Sequence, residues 1–288
     1  MSFSATVKEE LTKHIPPARH CQMAELSAIM HFCGQIGMDS EQNISLGFQT
    51  ENPGLVTKGF TLLKKVYNID FGEPISLKRF DEVIMGVGRL DEPVSSLLIK
   101  NSCCKRAYLR GAFLSVGSIS DPEKGYHLEF ACQNRALSEQ LQDIIAFFDI
   151  DAKIVARKKY FVVYIKEGAG IVDLLNVIEA PISLMNLENV RILKEISNSV
   201  NRRVNCETAN LAKTVSASSK QRSDIEYIRD HYGLHNLPDN LREIAEVRLE
   251  NPDATLKELG ELLDPPVGKS GVNHRLRKLC EFADKIRN

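Results

Sequence analysis

The side chains best suited to chemistry gather near the C-terminus. Within Lys269–Leu279, helical spacing places Ser270, Asn273, His274 and Arg277 on one face, flanked by Lys269, Arg275 and Lys278. Asn carries the paired donor and acceptor that match an adenine edge, and Arg the fork that matches guanine. Ser and Lys at a helix start suit phosphate, because the free amides and the dipole there favour an anion. Val272, Leu276, Leu279, Ala283 and Ile286 recur at helical spacing on the other side and are expected to pack inward. The pattern points to recognition of double-stranded DNA rather than to making or breaking bonds.

A helix that reads DNA needs a second helix to brace it. Thr255-Leu-Lys-Glu258 reads as a capping box, a hydroxyl at the N-cap and a carboxylate three residues on. Leu256, Leu259 and Leu263 then mark one helical face, and Gly260 is expected where the two helices cross. Asp264-Pro-Pro-Val-Gly268 must end that helix, since proline lacks the amide donor. The expectation is a helix-turn-helix over about 254–287 with a five-residue turn. A basic face alone also suits a solvated helix. The capped helix, the proline turn and the acid-free exposed face decide for DNA.

Charge distribution supports this choice. The net charge is −1, yet Asn189–Arg222 carries seven Lys/Arg against two acids and Lys269–Leu279 four against none, so positive charge is local. The segment Asn201–Thr214 is rich in Asn and base; Arg202, Arg203, Asn205, Thr208 and Lys213 either contact phosphates or pack between domains.

With 288 residues the chain has room for two domains. Patterns mix helix and strand up to about residue 180 and are helical beyond it. The first part repeats itself. The helical runs Cys21–Gly34 and Cys104–Gly117 are each followed by an alternating strand, Ile44–Phe48 and Tyr126–Phe130. An Asn (Asn52, Asn134) and an amphipathic helix come next, then strands at Pro74–Lys78 and Glu82–Val87 in one copy and Lys153–Arg157 and Phe161–Lys166 in the other. The offset stays between 81 and 83 residues, which predicts a duplicated helix–strand–helix–strand–strand unit whose sheets bury their apolar faces together.

The leading helices, Leu26–Gly34 and Leu109–Gly117, carry small residues that let two backbones approach, and a terminal Gly expected to take the left-handed cap. These nine-residue stretches resemble the paired LAGLIDADG helices of homing endonucleases. In those enzymes the eighth motif position is an acid, and the two carboxylates hold divalent metal at the scissile phosphates. Here the eighth positions are Cys33 and Val116 and the sixth are His31 and Leu114. The scaffold is expected without its catalysis: not an enzyme, no metal, no cofactor. His31 is expected to be structural. Asp121 and Glu123, the acids nearest the second motif, sit among turn residues.

A LAGLIDADG-like pair without acids, an Asn/Arg-rich connector and a C-terminal helix-turn-helix together resemble the WhiA regulators of Gram-positive bacteria. The matches are Ser4–Leu11, Asn201–Thr214 and Lys269–Leu279. One departure is Val267-Gly268, where the family tends to carry Leu-Ser and so a phosphate-binding hydroxyl. The resemblance implies a transcriptional regulator linked to cell division, chromosome organisation and, in organisms that sporulate, sporulation. Its N-terminal half would meet another transcription regulator or RNA polymerase.

The resulting expectation is an α+β N-terminal domain of duplicated LAGLIDADG-like fold over 1–185, with repeats at about 20–90 and 103–180. A helical connector over 186–222 and an all-α helix-turn-helix domain over 223–288 follow. Basic residues Lys78, Arg79, Arg157, Lys158 and Lys159 are expected on the sheet, free to touch DNA non-specifically. Neither a signal peptide nor a membrane span is expected, which points to a cytoplasmic, nucleoid-associated protein. Seven cysteines without a C-x-x-C pair point to reduced, mostly buried thiols and against zinc.

Overall fold

The computed structural model describes residues 2–38, 44–70, 72 and 75–287. It divides into two units, Met1–Glu195 and Ile196–Asn288. The first unit opens with α1 (Phe3–Lys13), α2 (Arg19–Cys33), the antiparallel pair β1 (Gly34–Met38) and β2 (Ile44–Phe48), α3 (Pro53–Tyr67) and α4 (Leu77–Val87). A second passage runs through α5 (Ser102–Val116), β3 (Gly117–Ile119), β4 (Leu128–Cys132), α6 (Arg135–Ala146), β5 (Lys153–Arg157), β6 (Tyr160–Ile165) and α7 (Gly168–Val177).

The duplication is written in local chemistry. Asn52 caps α3 by accepting from the amides of Gly54 and Leu55, and Asn134 caps α6 by accepting from those of Ala136 and Leu137. Beyond these helices Asn68 and Asp149 take left-handed backbone at φ 54° and 60°, the conformation Asn and Asp tolerate best among residues with a Cβ.

Two details differ from expectation. Gly34 and Gly117 are extended, with φ of −66° and −76°, not left-handed. Glycine is needed for space: a Cβ would sit 2.4 Å from the Met30 carbonyl oxygen at Gly34 and 2.6 Å from that of Phe113 at Gly117. The chain therefore leaves each helix straight into a strand, β1 or β3, which the sequence reading did not separate from the helix end.

The second copy builds an antiparallel sheet of order β3-β4-β6-β5, with Leu128, Phe130 and Cys132 buried on one face. The first copy has no equivalent second strand pair among the described residues. The strands expected at Pro74–Lys78 and Glu82–Val87 are replaced by one Ile44–Ile75 bridge and helix α4; Pro74 lies outside the described residues. Phe80, Val83, Ile84 and Val87 follow a 3.6-residue period, and Val83 and Val87 are fully buried. Lys78 and Arg79 consequently lie on a helix rather than on the sheet.

Helices α2 and α5 pack together at the centre of this unit. A Cβ at Gly111 would lie 2.5 Å from the Glu25 carbonyl oxygen and 2.9 Å from Ala28 Cβ, so small residues set the approach. The surrounding core joins Leu26, Ile29, Tyr108, Phe113, Phe130 and Val163 in one cluster. This is a LAGLIDADG-like fold.

Helix α8 (Pro181–His231) ends in the second unit, followed by α9 (Asp239–Glu250), α10 (Leu256–Glu261) and α11 (Lys269–Arg287). Ile225, Ile228, Ile244, Leu259, Leu263, Val272, Leu276, Leu279 and Ala283 form its core. The inward faces expected for the last two helices are therefore largely buried, with Leu256 and Ile286 partly so. Among the described residues no helix is long and apolar enough to cross a membrane.

Candidate nucleic-acid interface

Helix α11 is held in place by its neighbours. Thr255 Oγ1 accepts from the Glu258 amide at 3.3 Å while Glu258 Oε2 accepts from the Thr255 amide at 2.7 Å, completing the capping box of α10. That main-chain bond holds the Glu258 carboxyl below its usual pKa. Gly260 serves the turn rather than a helix crossing alone. The Val267 amide donates to its carbonyl at 2.9 Å, and a Cβ here would lie 2.0 Å from the Val267 carbonyl oxygen.

Two buried polar groups, which the sequence did not single out, fix the bundle. Arg248 donates to the Ala254 carbonyl at 2.7 Å and to Gln221 Oε1 at 2.9 Å, joining α8, α9 and the approach to α10. Asp224 is almost fully buried and pairs with Arg287 at 2.7 Å, tying the end of α11 to α8. Arg248 Nε and Asp224 Oδ2 have no partner, so these contacts carry the whole compensation for burying each charge, and losing one would be costly.

With α11 so placed, Lys269, Ser270, Asn273, His274, Arg277 and Lys278 are exposed. Arg275 is only partly exposed and is already engaged, 3.6 Å from Glu243 and donating to the Asn240 carbonyl at 3.4 Å. Glu243 also accepts from the Asp264 amide at 2.8 Å, so Arg275 belongs as much to the brace as to the face. Arg277 lies 3.0 Å from Glu281, one turn on. An exposed pair of this kind contributes at most about 0.5 kcal/mol and leaves Arg277 available to a stronger anion.

On α8, Arg202, Arg203, Asn205, Thr208 and Lys213 are all exposed, with Arg203 3.0 Å from Glu207. Arg157, Lys158 and Lys159 are exposed at the β5–β6 turn.

The paired helices show a different chemistry. Cys33 Sγ lies 3.2 Å from the Ile29 carbonyl oxygen and 3.5 Å from Ser115 Oγ, and burial pushes the thiol pKa up. A cleft beside Val116 is lined by His31, Asp91, Gln133 and Asn134, and a hollow beside Ser115 by Lys8, Glu51 and Asn52. Each holds one carboxylate among its described residues. A metal-dependent nuclease needs several hard oxygen ligands at one point. His31 Nε2 donates to the Val87 carbonyl at 2.9 Å, and burial lowers its pKa, as suits a structural histidine. Asp121 accepts from the Glu123 amide at 3.0 Å in a turn.

Between the repeats lies a buried ion cluster. Glu25 accepts from Arg110 through both oxygens, at 3.0 and 3.1 Å, and lies 2.5 Å from Lys58 Nζ; Arg110 also pairs with Glu179. Two cations surround the carboxylate and already balance its buried charge.

One constellation was not legible as a site: His20, Cys21, Cys103 and Cys104 bring their ligand atoms within 4.8 Å of one another. The expectation against zinc rested on the lack of a C-x-x-C pair, and this cluster forms without one. Its members are adjacent pairs from two helices rather than a C-x-x-C run, so only the tertiary fold unites them.

Comparison with known proteins matches every part of the chain. Residues 19–73 match the family model described as WhiA N-terminal LAGLIDADG-like domain, 105–197 the WhiA LAGLIDADG-like domain, and 200–283 the WhiA C-terminal HTH domain. A relative from Lachnoclostridium phytofermentans, named probable cell division protein WhiA, is 49% identical with 100% of both chains covered. One of the same name from Alkaliphilus metalliredigens is 47% identical, covering 100% of this chain and 99% of its own. The crystal structure of full-length DUF199/WhiA from Thermatoga maritima superposes with a TM-score of 0.60 at 24% identity, covering 99% of each chain.

Proposed function

The chain belongs to the WhiA family, and from that premise we propose that it is a sequence-specific DNA-binding transcriptional regulator that reads DNA with α11 and has no nuclease activity. The observation that carries this reading is the exposed, acid-free start of α11. Lys269, Ser270, Asn273, His274, Arg277 and Lys278 project from a helix whose opposite face is locked into the bundle. Lys269 and Ser270 hold phosphate at the helix N-terminus; Asn273 and Arg277 read base edges in the major groove. Arg275 has a secondary part because Glu243 engages it. Arg202, Arg203, Asn205, Thr208 and Lys213 add backbone contacts from α8.

The working parts are then a LAGLIDADG-like domain over 1–185, a helical connector over 186–222 and the reader over 223–288. Relatives named as probable cell division proteins support a role in division, and the family resemblance extends the proposal to chromosome organisation and, where the organism sporulates, to sporulation. The protein acts in the cytoplasm at the nucleoid, and the N-terminal domain meets another regulator or RNA polymerase.

Fluorescence anisotropy on short duplexes over a salt series tests the roles. Lys269→Ala should weaken all duplexes alike and lower the salt slope by about 1. Asn273→Ala and Arg277→Ala should reduce discrimination between sequences by about 1–3 kcal/mol. Unchanged discrimination in both variants rejects the reading.

A further inference from the structure

We propose that His20, Cys21, Cys103 and Cys104 form a mononuclear zinc site that staples the starts of α2 and α5. His20 Nδ1 lies 3.2 Å from Cys104 Sγ, 3.3 Å from Cys21 Sγ and 4.0 Å from Cys103 Sγ. Zinc bonds sulfur at about 2.3 Å and imidazole nitrogen at about 2.0–2.1 Å, so the edges of its tetrahedron are about 3.5–3.8 Å. The observed separations bracket those edges. An iron–sulfur cluster would hold its ligands much further apart, and soft thiolates with one imidazole select zinc over hard cations.

The site follows from the duplication. His20 and Cys103 are 83 residues apart, the offset that relates the two repeats, and Cys21 and Cys104 repeat it. Each pair sits at the second and third positions of its helix, α2 from Arg19 and α5 from Ser102. Packing the two helices about their pseudo-twofold axis therefore converges four ligands from two dipeptides. Both helix starts point free amides and a positive dipole end at this spot, which stabilises the thiolates that bind metal.

Surroundings agree with a structural ion. Cys21 and Cys104 are buried with Ala24 and Ala107 in a small cluster apart from the main core, with Ala18 and Leu98 partly buried against it. His20 and Cys103 are exposed and give an ion access from solvent. Four protein ligands leave no open position, so the ion holds structure rather than activating water. Each ligating thiol releases its proton to solvent on binding.

The test uses the full chain, purified with a phosphine reductant and no chelator, and its metal content measured by mass spectrometry. One zinc per chain is expected. Replacement by Co²⁺ should give thiolate-to-cobalt charge-transfer bands and the intense visible bands of a tetrahedral ion. Cys103→Ser, at an exposed position, should weaken zinc by at least the roughly 10–100-fold that losing an outer-shell partner costs. Cys206→Ser, a thiol far along α8, should change nothing. Chain without zinc whose cobalt form lacks charge-transfer bands overturns the proposal. So does a Cys103→Ser variant that binds zinc as tightly as the parent, or a disulfide joining Cys21 to Cys103 or Cys104 under these conditions.

Discussion

Cys33 faces Ser115 across the paired helices, thiol to hydroxyl at 3.5 Å, at the point where a homing endonuclease would bring carboxylates to a metal. Neither group is a hard anionic ligand, and Val116 at the matching position of the second motif offers none. Supercoiled plasmid incubated with the protein and Mg²⁺ or Mn²⁺ should remain uncut. Nicking that disappears on replacing Glu51 or Asp91, the carboxylates beside the two clefts, would mean that displaced ligands preserve the chemistry.

The turn before α11 depends on Gly260. A methyl group there meets the Val267 carbonyl oxygen, main chain that has no rotamer to escape into. Gly260→Ala should cost about 1–3 kcal/mol. Thr255→Ala, which removes one half of the capping box, should cost about 1 kcal/mol. Hydrogen exchange resolved by segment reads both. Protection should fall in α10 and α11 and stay unchanged in α2 and α5. Loss spread evenly over the chain would place the effect elsewhere.

His31 gives the first unit a dependence on acid. Burial holds its folded pKa below the ordinary value of about 6.5, so the unfolded chain binds the proton first. Its contribution is full above that pH and is lost as the pH falls through the folded value. His14, held down by burial and then by Arg110, acts in the same direction. His31→Gln, whose amide still donates to the Val87 carbonyl, should therefore flatten part of the slope of unfolding free energy as the pH falls below the ordinary histidine value of about 6.5. Identical slopes in the two proteins would contradict this assignment.

Residues with local consequences were the legible ones. Asn52 and Asn134 announce helix starts through their own side chains, and the apolar faces of α10 and α11 follow a period that needs no partner to read. Helix α4 was misread because Val83, Ile84 and Val87 are β-branched, and a short cluster of such residues also suits a strand. Strands β1 and β3 were missed because each begins on a glycine that looks like a helix cap. The partners of Arg275 and Arg277 lie in α9 and just past the acid-free stretch, so neither pairing is visible within Lys269–Leu279 itself. The His20–Cys21 and Cys103–Cys104 pairs lack the C-x-x-C spacing that marks a metal site within one segment; they meet because two repeats pack together.

The central claim is that α11 reads sequence. Sheared genomic DNA captured on the full-length protein and sequenced should show discrete enriched sites sharing a motif. An Asn273→Ala/Arg277→Ala double variant, still folded by circular dichroism, should lose those sites while retaining weak, salt-sensitive binding to all DNA. The same sites enriched to the same degree by the double variant would show that another surface does the reading.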